Sequence, residues 1–225
     1  MPTVLITGAG RGIGLEFARQ YLSAGWQVIA LQRAESAALS ALADTGSLEV
    51  LIGSLTDEAE LDRALAPLEG RKIDVLIHNA GAMNDKGFGY FERAAWHSIF
   101  DINVFTPLAI SERLVDNVAR ADHGRIVTVS SILGSIEKNT SGGLYAYRAS
   151  KAAVNAVMCS MALDLAGRGV TCAALHPGWV QTDMGGQDAT LTPADSVAGL
   201  IQVIATLDAD SAGTLIDWRG RTLPW

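Results

Sequence analysis

A chain of 225 residues, 49% of them hydrophobic, with a mean hydropathy of +0.23, has the material for one well-buried core and suits one large α/β domain. A formal charge of −7 and a pI near 5.0 argue against a nucleic-acid partner. No apolar run approaches the roughly 18–20 residues of a membrane span, so no membrane partner is expected.

Met1-Pro2-Thr3 runs directly into a first strand over Val4–Thr7 with no room for a signal peptide, so the cytoplasm is the expected compartment. That strand ends in "TGAGRGIG", residues 7 to 14, and a helix follows near 12–24. The remaining strands are expected at Gln27–Leu31, Glu49–Ile52, Val75–His78, Arg125–Val129, Thr171–Leu175 and Thr214–Ile216. Between them lie helical patterns near 57–68, 92–120, 146–166 and 194–206, the last capped by Thr192 with Pro193 in its first position. The strand runs are apolar throughout rather than alternating, as parallel strands covered on both faces require. Repeated βα order therefore predicts a doubly wound, Rossmann-type, mostly parallel sheet of seven strands with helices on both faces. It forms a single domain over residues 1–225, and ligands are expected at the carboxyl ends of its strands. Glycine-rich or polar loops at 81–90, 134–143 and 183–191 all follow strands, where functional loops belong.

Cys159 and Cys172 sit among apolar neighbours and read as buried thiols. The histidines His78, His97, His123 and His176 show no metal-ligand spacing with each other or with the cysteines, so no metal site is expected.

The first glycine loop carries the most direct chemical signal. Gly8, Gly12 and Gly14 permit a tight turn and close backbone approach, and the following helix offers free N–H groups to a phosphate. The spacing is not G-x-G-x-x-G, because Ile13 stands at the third position, and no G-K-[S/T] follows, so it is not a Walker loop. A strand before it and an amphipathic helix after it point to a dinucleotide. An acidic residue about 20 positions on would select a bare ribose, but the second strand ends "ALQRAES". Gln32 and Arg33 occupy that place, and Arg11 in the glycine loop points toward it. Two guanidinium groups suit a 2′-phosphate, so NADP(H) is expected over NAD(H).

In "YAYRASK", residues 145 to 151, Tyr147 and Lys151 are four apart and share one helix face, whereas Tyr145 lies round the helix from Lys151. An ammonium about 4 Å from a tyrosine supplies about 4 kcal/mol at an effective dielectric near 20, enough to lower its pKa by two to three units from about 10. Pro107 falls inside the helical pattern 92–120, which predicts a kink and leaves the carbonyl of Asn103 without a helical donor.

With "HNAG" at 78–81, "VTVSSILG" at 127–134, Tyr147 and Lys151, and "HPGWVQTDM" at 176–184, the whole chain resembles the short-chain dehydrogenase/reductase family. "TSGGLYAYRASKAAVN" and the ending "GRTLPW" resemble its C-factor-like and sniffer-like carbonyl reductase branch. The resemblance implies a catalytic set of Asn103, Ser131, Tyr147 and Lys151, Ser131 rather than Ser130 because it opens the S-x-x-G that closes at Gly134. It implies a cofactor loop of Gly8, Arg11, Gly12, Ile13 and Gly14, with Arg33, Ser54 and Leu55 on the adenosine side. Asn79, Ala80 and Gly81 would support that side from the central sheet. Pro177, Gly178, Val180 and Thr182 would hold the nicotinamide, and Tyr147 and Lys151 would also contact the cofactor. Departures are His78, where Asn is commoner, Ser54, where Asp is commoner, and the longer interval from Ser131 to Tyr147.

The implied activity is reversible reduction of aldehyde and ketone carbonyls by hydride transfer, with Tyr147 as general acid/base and Ser131 holding the oxygen. The short lid before Thr192 implies an open pocket in which Trp179 and Met184 could stand. The helix 146–166 is apolar almost all round and implies a homodimer or homotetramer. The alternative is a dinucleotide-binding regulatory protein of C-factor type that acts through partner contacts. A sugar-nucleotide epimerase is disfavoured, since no residues remain for a substrate domain.

Overall fold

Apolar runs and helical patterns alternate as expected. In the computed structural model, which describes residues Met1–Trp225, the chain order is β1 (Thr3–Thr7), α1 (Gly12–Ser23), β2 (Gln27–Gln32), α2 (Ala37–Ser40), β3 (Leu48–Ile52), α3 (Glu58–Leu65), β4 (Val75–His78), α4 (Arg93–Phe100), α5 (Thr106–Val118), β5 (Gly124–Val129), α6 (Tyr145–Leu165), β6 (Val170–His176), α7 (Pro193–Thr206), β7 (Leu215–Asp217) and β8 (Thr222–Leu223). One sheet carries all the strands in the order β3-β2-β1-β4-β5-β6-β7-β8. The first seven run parallel; β8 returns antiparallel to β7 through the pairs Leu215–Leu223 and Ile216–Thr222.

The sheet therefore has eight strands, not seven. Two residues cannot display a period, so β8 leaves no pattern in the sequence. It is specified instead by the turn before it, where the Asp217 carboxylate accepts the backbone N–H groups of Arg219 and Arg221 at 3.0 and 2.9 Å. The four-residue helix α2, which no sequence pattern announces, is capped by Ser36, whose hydroxyl accepts the N–H of Leu39.

Alternation along β1 shows why its residues are all apolar or small. Val4 and Ile6 join the core layer containing Phe17 of α1 and Leu200 of α7. Leu5 points the other way, into the layer with Ile110 of α5 and Met158 of α6. Both faces are covered, and all five residues of β1 are buried. Edge strand β3 departs from the expectation of two covered faces, because Val50 and Ile52 are exposed.

Two features place the functional end of the sheet. Strand order reverses between β1 and β4, which parts the loops that follow them and opens a crevice. The two strand ends are tied beneath it by Thr7, whose hydroxyl accepts the N–H groups of Asn79 and Ala80, each at 3.1 Å. The second feature is the expected long helix over 92–120, which is broken. Residues Asp101–Phe105 form a π-helical turn, with the N–H of Thr106 donating to the carbonyl of Asp101 five residues back, and Pro107 sits in the first turn of α5. The proline disruption is thus taken up as a wide turn rather than as a simple kink. No helix is long and apolar enough to cross a membrane.

Candidate active site

The glycine loop between β1 and α1 is shaped for close approach. Gly8 and Gly12 have φ of +67° and +54°, a region that disfavours any side chain. At Gly14 a Cβ would stand 2.3 Å from the carbonyl oxygen of Gly8, so only glycine lets loop and helix meet there. Asn79 locks the loop from β4, its amide donating to the carbonyls of Thr7 and Gly8 at 3.1 Å each. The N-terminus of α1 has neither a capping side chain nor an acidic residue in its first turn. Its free N–H groups and the positive end of its dipole face the crevice, a ready site for a phosphate.

Ile13, partly buried, packs against the core layer beneath this loop. At the end of β2, Gln32 is buried with its Nε2 lacking any partner. Arg33 follows it and is exposed. Arg11 does not join Arg33 as the sequence suggested; it pairs at 2.8 Å with Asp183, in the loop after β6, both side chains being about four-fifths exposed. The backbone N–H of Ser54 is taken by the Glu60 carboxylate at 2.8 Å. Leu55 is buried, and its carbonyl accepts the hydroxyl of Thr106.

Asn103 lies in the π turn, fully buried. Its carboxamide clamps Ala82 from both sides, accepting that residue's N–H at 2.8 Å and donating to its carbonyl at 2.9 Å. It also donates to the hydroxyl of Ser150, which in turn donates to the carbonyl of Tyr147. Asn103 therefore joins the loop after β4, past Ala80 and Gly81, to the first turns of α6.

Helix α6 begins abruptly. Gly142, Gly143 and Leu144 all have positive φ, and Leu144 at 49° is the sole non-glycine residue that does. The helix then presents Tyr147 and Lys151 on one buried face, with Tyr145 pointing to solvent beside Phe88. Ser131 caps a short 3-10 turn (132–134), its hydroxyl accepting the N–H of Leu133 at 3.1 Å. Gly134 packs on the helix so closely that a Cβ would lie 2.8 Å from the backbone carbon of Lys151.

The electrostatics differ from the simple ammonium argument. Burial raises the pKa of Tyr147, with a Ser131 hydrogen bond working in the opposite direction. Burial also pushes the Lys151 ammonium down to about 8. Its Nζ donates to the carbonyl of Val129 at 2.8 Å and stands 5.7 Å from the Tyr147 ring centroid. A lysine anchored on a strand carbonyl and itself costly to charge does not offset the desolvation of the phenol.

The third wall follows β6. Gly178 has φ +84° and is enclosed by Leu191 and Trp218, while the carbonyl of Pro177 accepts the hydroxyl of Ser196. Val180 bridges to Leu191, and the hydroxyl of Thr182 accepts the N–H of Gly185. A Cβ on Gly12 would touch Thr182 at 3.4 Å, so this loop and the glycine loop meet over the crevice. Cap Thr192 and Pro193 begin α7 as expected.

A sequence profile described as short chain dehydrogenase matches residues 2–191. The chain belongs to the short-chain dehydrogenase family. Within it, the chain is 42% identical over 159 residues to the C-signal of Myxococcus xanthus, covering 68% of this chain and 93% of that protein. Among solved structures, an NADPH-bound carbonyl reductase from chicken fatty liver superposes with a TM-score of 0.93 at 29% identity, over 100% of this chain and 99% of the other. The carbonyl reductase Sniffer of D. melanogaster gives 0.93 at 30% identity with both chains fully covered. Membership makes the chain an oxidoreductase. What the sequence did not reveal are Ser150 and Asp183, whose partners lie 47 and 172 residues away in the chain, and Arg148, whose contacts are mostly with backbone carbonyls.

Proposed function

We propose that this protein is an NADPH-dependent reductase of aldehyde and ketone carbonyls, able to oxidise alcohols in reverse. The observation that carries the reading is the convergence of Ser131, Tyr147 and Lys151, all buried, beside a glycine cradle with an uncapped helix N-terminus. That cradle fits a dinucleotide. Gly14 lets the loop pack tightly on the first turn of α1, so that the uncapped N–H groups stand at the loop, and the orphaned Gln32 amide next to exposed Arg33 offers donors and positive charge where a ribose-binding carboxylate would stand. Gly8, Gly12, Ile13 and Gly14 would then hold the pyrophosphate, Gln32 and Arg33 the 2′-phosphate, and Pro177, Gly178, Val180 and Thr182 the nicotinamide end. NADPH-bound carbonyl reduction by a structural neighbour supports this choice. When bound, the cofactor supplies the hydride.

The chain supplies the rest. Tyr147, kept protonated by burial, is a proton donor for the carbonyl oxygen, and Ser131 beside it donates a second hydrogen bond to the same atom. Lys151, with a pKa of about 8, exchanges a proton near neutrality and would hold the cofactor ribose. Asn103 fixes α6 against the loop after β4. With its pKa raised by burial, Tyr147 is protonated for carbonyl reduction at neutral pH, whereas alcohol oxidation, which needs the phenolate, calls for higher pH.

The test is NADPH oxidation against a panel of aldehydes, ketones, quinones and diones, with Tyr147→Phe as control. Turnover that survives Tyr147→Phe would defeat the mechanism. A regulatory role is the second reading, favoured by the 42% identity to the C-signal; biological activity that persists in Tyr147→Phe would favour it.

A further inference from the structure

Arg148 stands between Tyr147 and Lys151 on α6, and its side chain serves neither of them. Its Nε donates to the carbonyl of Gly142 at 3.2 Å, one terminal nitrogen to the carbonyl of Leu133 at 3.4 Å, and the other to the hydroxyl of Ser141 at 2.9 Å. Its backbone N–H donates to the carbonyl of Leu144 at 2.8 Å. These acceptors belong to two separate stretches. Leu133 lies in the 3-10 turn that Ser131 caps, and its own N–H donates to the Ser131 hydroxyl. Gly142 and Leu144 belong to the left-handed run before α6, and Ser141 immediately precedes it.

We infer that Arg148 is a positioning residue that clamps the Ser131 turn and the 141–144 loop onto α6, and so sets the alignment of Ser131 with Tyr147. This rests on the carbonyl-reductase reading and goes beyond it. The geometry explains how a strained, uncapped helix start is held. Leu144 is in a conformation that L side chains disfavour, α6 has no side-chain N-cap, and Gly142 is otherwise tied only by its N–H to the Asn139 side chain. A planar guanidinium can reach three divergent acceptors at once, whereas an ammonium is a single point. The 3-10 turn is thereby fixed from both sides, with Gly134 packed on Lys151 and the Leu133 carbonyl held by Arg148.

The experiment compares wild type, Arg148→Ala, Arg148→Lys, Ser131→Ala and the double variant Arg148→Ala/Ser131→Ala. Amide hydrogen exchange reads the clamp directly. In Arg148→Ala, peptides covering residues 131–144 should exchange roughly tenfold faster or more while the rest of the sheet is unchanged, and methylguanidinium should restore protection. In turnover, kcat should fall roughly 10- to 100-fold, with cofactor affinity retained, partial rescue by methylguanidinium and little rescue by Arg148→Lys. Because the effect passes through Ser131, the double variant should be no slower than Ser131→Ala alone. Unchanged exchange over 131–144, or losses that simply add in the double variant, would overturn the inference. Should the wild type reduce no carbonyl in the panel, the functional reading fails, while the exchange measurement still decides whether Arg148 is the clamp.

Discussion

Lys151 should make the fold less stable, and the cost can be worked from its surroundings. Burial lowers its pKa from 10.5 to about 8, which at about 1.4 kcal/mol per pH unit places the penalty of the buried ammonium at about 3 kcal/mol. Lys151→Met removes the charge but leaves the Val129 carbonyl, now bonded at 2.8 Å, without its donor, a loss of about 1–3 kcal/mol. The net expectation is a variant about 1 kcal/mol more stable than wild type at pH 7, or about 2–4 °C in Tm for a chain of this size, yet without reductase activity. The sign has a pH signature. Below pH 8 the folded and unfolded chains both carry the proton, so the wild-type deficit is constant. Between pH 8 and 10.5 the unfolded chain keeps a proton that the folded chain has shed, so wild-type stability rises by about 1.4 kcal/mol per pH unit and the deficit closes and reverses before pH 10. Urea unfolding of both proteins at pH 7 and pH 10 measures this. A Lys151→Met protein less stable at pH 7, or one whose advantage is undiminished at pH 10, would refute the reasoning.

Tyr147→Phe should lose roughly 10²- to 10⁴-fold in turnover, whereas Tyr145→Phe, at an exposed position, should keep most of it; the reverse pattern would mean that the helix register is wrong. Arg33→Asp should shift preference from NADPH toward NADH by about 1.5–3 kcal/mol, the worth of a hydrogen bond to a charged group, and equal affinities in the wild type would dismiss the proposal. Acid should destabilise the fold through two buried histidines, since burial holds His78 at about 3 and His176 at about 4. Below pH 6.5 the unfolded chain binds protons that these residues refuse, so each costs about 1.4 kcal/mol per pH unit down to its folded pKa; His78→Asn should flatten the urea-midpoint profile between pH 6.5 and 4.5, and an unaltered slope would exclude His78. Leu163 and Ala156 leave an apolar stripe of α6 exposed, so a homo-oligomer is expected at micromolar concentration; a monomer in sedimentation would count against it.

The βα alternation, the glycine loop and the Tyr147–Lys151 pair were legible because each rests on a short-range rule: apolar runs, glycine spacing, or positions four apart on a helix. The π turn was half legible. Pro107 announces a break, but no residue pattern distinguishes a kink from a turn widened by one residue. Strand β8 is too short to carry a period, and its turn is specified by bonds from Asp217 to backbone. The direction of the Tyr147 shift could not be read either, because spacing reveals which groups are near and not how much water they have lost. Arg148 illustrates the same limit, since two of its three side-chain acceptors are carbonyls, which every residue possesses.

The places where local rules fail mark the site without any appeal to relatedness. Six residues have buried side-chain polar atoms with no partner: Gln32, His78, Asn84, Arg125, Asn155 and His176. Gln32, His78 and His176 are the last residues of β2, β4 and β6. Asn84 lies in the loop after β4, and Asn155 accepts the hydroxyl of Ser130, just beyond β5. Five of the six therefore gather at the carboxyl edge of the sheet, together with the buried Lys151, the left-handed Leu144 and the π turn. Arg125 is the exception, near the opposite end of β5. Orphaned groups and strain cost stability wherever they occur, and they persist where the surrounding fold over-determines them. A protein indifferent to function would scatter such costs over both edges. Their concentration at one edge is what a site built to bind and to hold a proton requires, because groups committed to a ligand cannot also be satisfied by the fold.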